Sequence, residues 1–184
     1  VETWAEPAVR CESACVDVLG PGAFGPSTIA TVPAMSLLDA LRLVADSLQT
    51  TLEHALRERG GVEEVRRRSN GHPTHFQIGL ELDLDDVPGS FAFEVGAVKG
   101  AFRVTREECV VGAARYVVRD GVVESVVVPD RVTGMPVDTT SRAPQAMRDR
   151  LFLVTMSGHD AFRPAFDRLS RMGFYNVSPD QVRV

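Results

Sequence analysis

The apolar positions of residues 36–59 fall at Leu38, Leu41, Val44, Ala45, Leu48, Leu52, Ala55 and Leu56. Spacings of three and four line one face of a helix, so this stretch predicts a single long amphipathic helix. Ser36 followed by Asp39 reads as a capping pair at its start. Gly60-Gly61 reads as its stop, because glycine takes the left-handed conformation a C-cap needs. Residues 62–68 then predict a short helical turn that ends in Arg66-Arg67-Arg68. From there the period changes to two. Phe76, Ile78, Leu80, Leu82 and Leu84 alternate with Gln77, Gly79, Glu81 and Asp83, the pattern of a half-buried strand. Residues 85–89 form a turn, and Phe91, Phe93, Val95 and Ala97 repeat the alternation. Lys99-Gly100 turns into a strand over 102–106, and residues 114–118 and 122–128 pair around Asp120-Gly121, a hairpin signal. Residues 130–143 hold Gly134, Pro136 and several threonines, and read as a surface loop. A helix is expected over 143–156, and a second stripe of Phe162, Phe166, Leu169 and Met172 stops at Gly173 before a short strand over 174–177. The predicted fold class is α+β: a long helix, four or five antiparallel strands and two C-terminal helices.

Residues 1–33 show neither period. They carry Pro7, Pro21, Pro26 and Pro33, with only a short valine-rich stretch over 15–19 that reads as a strand. With 184 residues and 44% apolar content the chain can bury one core, in one or two lobes. A formal net charge of -5 argues against a broad electrostatic nucleic-acid surface and leaves local basic patches open. No run of about 18 apolar residues exists, so no membrane partner is expected. No basic start leads into an apolar stretch, so a secretory signal is not expected either. Cys11, Cys15 and Cys109 are an odd set, and a lone C-x-x-x-C spacing is a weak zinc signal. Free thiols of a cytoplasmic protein are the expectation.

Candidate chemistry is sparse. The run GPGAFGPS, residues 20–27, has the look of a glycine-rich phosphate loop. It fails on mechanism: it has no lysine, Pro21 and Pro26 lack N–H donors, and Ser27 does not open the helix. Glu107 and Glu108 are adjacent on a strand and point to opposite faces, so they cannot act on one substrate as a pair, and a solvated strand end is expected. His54, His72, His75 and His159 have no metal-ligand spacing.

The wording of three segments carries more. Leu37-Leu38-Asp39-Ala40-Leu41 at the head of the long helix, FEVGAVKGAFRVTREE over 93–108, and FRPAFDRLSRMGFYNVSPDQVR over 162–183 come in this order. Together they resemble the AAA-type ATPases of the RecF/SMC-like, ABC-ATPase-related group. In that group the helix follows the phosphate-binding loop, in wording close to Gly-Lys-Ser-Asn-x-Leu-Asp-Ala-Leu. The resemblance covers residues 36–183 and implies the N-terminal lobe of a P-loop ATPase head domain. It implies ATP and Mg²⁺ as cofactors of the family, and the remainder of the head domain or a second head as partner. A DNA-related role is implied by family alone. Ser36 falls at the phosphate-loop hydroxyl. An arginine beyond the helix approaches the phosphates in related heads, which makes Arg66, Arg67 and Arg68 nucleotide-binding candidates, with no basis for choosing among them.

The chain departs from the family where the chemistry is expected. Hydrolysis there needs a phosphate-loop lysine and an apolar strand ending in Asp-Glu, and neither occurs here. No catalytic residue is therefore assigned. The expectation is an incomplete domain over 36–184, inactive by itself, behind an unmatched segment over 1–35. Read one base earlier, the codons of residues 30–34 allow Asn, Gly, Ala or Ser, and Gly, the order expected before the lysine. An out-of-frame start, sequence divergence and unrelated upstream DNA all account for the abrupt onset at Ser36. A non-enzymatic interaction module that keeps the lobe as a scaffold is the alternative from another class. An intact downstream frame with a signature loop would favour the ATPase.

Overall fold

The computed structural model describes residues 14–15, 37–67, 75–98, 101–147 and 149–173. Its fold is mixed α/β: an antiparallel sheet with helices packed on one face. The strands are β1 (Ala14–Cys15), β2 (His75–Leu84), β3 (Val87–Val98), β4 (Ala101–Val111), β5 (Ala114–Arg119), β6 (Val122–Pro129) and β7 (Pro136–Asp138). They lie side by side in chain order, so each strand pairs with its sequence neighbour.

Two tight turns set the register. Asp85-Asp86 joins β2 to β3 with both residues at positive φ, 55° and 69°, and Asp83 Oδ1 accepts the Asp86 N–H. Asp120-Gly121 joins β5 to β6 with φ of 49° and 78°. Paired positive φ gives the twist a two-residue hairpin needs. The resulting register places Ile78 opposite Phe93 and Leu80 opposite Phe91 on the inner face. Bulges at Glu94/Val95 and Val117/Val118 shift the later pairings by one residue.

The expected long helix is two helices, α1 (Leu37–Gln49) and α2 (Leu52–Arg57), and the short helical turn expected over 62–68 is α3 (Val62–Arg67). The break falls at two threonines. Thr50 Oγ1 donates to the Asp46 carbonyl at 2.7 Å, and Thr51 is extended, its Oγ1 accepting the His54 N–H at 3.0 Å as the N-cap of α2. A β-branched hydroxyl residue competes in this way with the helix it would otherwise continue. The stop at Gly60-Gly61 is as expected: both are left-handed, and the Gly61 N–H returns to the Leu56 carbonyl at 2.8 Å.

Two further expectations are corrected. The helix over 143–156 is only α4, Phe152–Met156. Pro144 pushes Ala143 out of the helical region, to ψ of 144°, and Leu151 is extended as well. The expected loop over 130–143 contains β7 and a turn of 3-10 helix at Thr140–Arg142. The last helix, α5 (Arg163–Ser170), begins with Pro164 in its first turn, where the missing N–H costs nothing. The strand expected over 174–177 lies outside the described residues.

One core joins these parts. Phe91, Phe93 and Ile78 of the sheet are fully buried, as are Leu43 and Val44 of α1, Leu52 of α2, Leu153 of α4 and Ala165 of α5. α1 packs on α2 and α5, and α5 packs on β2. Gln49 donates to the Ser170 carbonyl, tying the end of α1 to the end of α5. Among the described residues no helix is long and apolar enough to cross a membrane.

Candidate functional site

The most unusual chemistry sits on the inner face of β4. Glu107 is 1% exposed, a carboxylate inside an apolar core, so the expectation of a solvated strand end is wrong for it. Its neighbours are donors. The Tyr116 hydroxyl of β5 donates to Oε1 at 2.7 Å, the Leu153 N–H to Oε1 at 2.8 Å and the Phe152 N–H to Oε2 at 2.6 Å. The two amides are the first of α4, which have no carbonyl partner within their own helix. Leu151, the N-cap, has no side chain that could satisfy them. Glu107 caps α4 from 45 residues away.

Aromatic packing closes the site. The Tyr116 ring meets Phe152 and Phe162 edge-on, each at a centroid distance of 5.1 Å. Such contacts add about 0.5–1.5 kcal/mol each beyond the area they bury. Cys109, opposite Tyr116 in the register, is fully buried beside them. Burial raises the Glu107 carboxyl, and the three donors lower it by less, leaving it at about 7. Burial also raises the Cys109 thiol and the Tyr116 phenol, and the negative charge of Glu107 adds to both. None of the three is therefore primed as a nucleophile at neutral pH. With 1% exposure Glu107 offers no path to substrate, and the cluster is a structural clasp.

The outer face of the same strand differs. Glu108 accepts from Arg115 at 2.8 Å and from Arg106 at 3.2 Å. Arg119 pairs with Glu124 at 3.2 Å and Arg103 with Asp120 at 3.5 Å. Arg106 faces Arg119 directly across β4 and β5, a like-charge pair that these acids offset.

Ser36 and Arg68 lie outside the described residues, as does Cys11. Arg66 and Arg67 form the C-terminal end of α3. Ser36 would directly precede Leu37, the first residue of α1. Among the described residues no group of three or more His, Cys, Asp or Glu is placed to hold a metal. Sequence reasoning missed the clasp, although one signal was present: Glu107 shares its parity on β4 with Cys109, an apolar-face residue.

No protein-family model, curated protein or solved structure matches the chain.

Proposed function

We propose that the chain is the N-terminal lobe of an ATP-binding head of the RecF/SMC-like, ABC-ATPase-related kind, and that by itself it does not hydrolyse ATP. The observation that carries the reading is the placement of Leu37-Leu38-Asp39-Ala40-Leu41. These residues open α1, a helix packed in one core with an antiparallel sheet. A phosphate loop delivers its nucleotide to the N-terminus of such a helix, where free N–H groups and the helix dipole favour an anion. In this reading Ser36 would hold the metal-side hydroxyl, and an arginine among 66–68 would face the phosphates. The partner is the remainder of a head domain or a second head.

The donor set of this chain does not fit tight binding of Mg–ATP. Its single lysine is Lys99, between β3 and β4, so none precedes Ser36. The lobe therefore supplies framework, and phosphate chemistry would have to come from other residues. Steady-state Mg–ATP turnover by the full chain tests this, and the expected rate equals that of a tag-only control. Turnover that is abolished by Ser36→Ala, or by replacing Arg66, Arg67 and Arg68 with alanine, overturns it.

A second reading, an interaction module, draws on the sheet edges. Among the described residues the outer side of β2 is paired only at Gly79 and Leu80. The opposite edge, β7, carries Pro136, which offers no N–H to an added strand. A partner strand would thus dock on β2. Slow hydrogen exchange at every β2 amide of the isolated chain contradicts this second reading.

A further inference from the structure

We propose that Glu107 is a proton-linked clasp: by capping α4 it ties the docking of the α4–α5 segment on the sheet to its own protonation, so that docking is tightest in acid and loosens towards neutral pH. Among the described residues, the Glu107 carboxylate is the side chain that joins β4 to the first turn of α4. Both leading amides of α4 end on it, at 2.6 and 2.8 Å, and the Tyr116 hydroxyl adds a third donor at 2.7 Å.

The groups that face Glu107 decide how it responds to pH. From β4 comes the Cys109 thiol, and from β5 the Tyr116 phenol, both neutral over the range in question. From α4 come only backbone amides, and from the turn before α5 comes the Phe162 ring, packed on Tyr116. The nearby cations of β4 and β5, Arg106 and Arg115, are spent on Glu108 across the sheet. Burial and the three donors therefore set the proton affinity, with no charged side chain contributing.

A buried carboxylate without a cation is costly, whereas the protonated form has a local solution. A phenol both donates and accepts, so Tyr116 can turn its hydrogen away and accept the proton of Glu107. The two amides can still donate to the carboxyl oxygens. Docked, the group titrates at about 7, and undocked it returns to its ordinary 4.5. Docking takes up a proton between these values. A group raised in the docked state favours that state below its free value, and the advantage is lost as pH climbs through the docked value. The docked segment is thus most stable below about 4.5 and reaches a lower plateau above about 7.

The test is hydrogen exchange of the full chain from pH 4.5 to 8, corrected for the intrinsic rate, read at the amides of residues 152–156. In the parent chain the opening constant should rise by about 140-fold from pH 4.5 to 8, the factor set by the two titration values. Glu107→Gln cannot ionise, so its opening constant should stay flat across this range. A flat parent profile, a profile shared by Glu107→Gln, or a fall with rising pH overturns the proposal. Should Glu107→Gln fail to fold, carbon NMR of the parent Glu107 carboxyl decides. A midpoint near 7 upholds the clasp, and a midpoint at or below 4.5 overturns it.

Discussion

On the inner face of the sheet Glu107 meets only uncharged donors, whereas on the outer face Glu108 lies between the guanidinium groups of Arg106 and Arg115. The two carboxylates are adjacent in sequence and a strand's thickness apart in space. For Glu107 the environment is dry, each hydrogen bond is strong, and no titration shared with a cation steadies its charge. For Glu108, with 18% of its side chain exposed, two guanidinium groups balance the charge, and the half-exposed Arg115 is screened by water. The weight of a carboxylate in this fold follows its face on the strand. A charge pair on the outer face is replaceable. The Glu107 cap on the inner face, met by uncharged donors, holds α4 on the sheet.

Glu107→Ala should break that contrast most severely. It removes the acceptor of two helix amides and a phenol at once and leaves all three buried, for an expected loss of about 3–5 kcal/mol in urea unfolding at pH 7. A loss under about 1 kcal/mol would mean that α4 finds another cap. The matching change on the outer face, Glu108→Ala, should cost less than about 1 kcal/mol, and the cost should shrink in high salt. A salt-independent loss of several kcal/mol at Glu108 would erase the distinction between the faces.

How much of this was legible depends on the range of the forces involved. The strict alternation of β2 and β3, the Asp120-Gly121 hairpin and the glycine stop after Arg59 are local, and local pattern was enough. The break at Thr50-Thr51 was also local and was passed over, because the apolar stripe runs on through Leu52 and only the hydroxyl bonds of the two threonines show the interruption. Pro144 carried the signal that 143–151 is not helix, and the stripe of Ala146, Met147 and Leu151 outvoted it. The role of Glu107 was out of reach, since its partners on α4 lie 45 and 46 residues away and only the folded chain brings them together. Its side of the strand was readable from Cys109. Of the nucleotide candidates, Arg66 and Arg67 end α3, and Ser36 and Arg68 lie outside the described residues.

The framework reading is tested most directly by Mg–ATP binding measured calorimetrically on the full chain and on a graft. In the graft, residues 29–36 are replaced by Gly-x-x-x-x-Gly-Lys-Ser, which restores backbone donors and the missing cation ahead of α1. The account predicts no binding by the parent chain and magnesium-dependent binding by the graft, lost again when alanine replaces the grafted lysine. A graft that keeps the parent's cooperative unfolding and still takes up no nucleotide would contradict it.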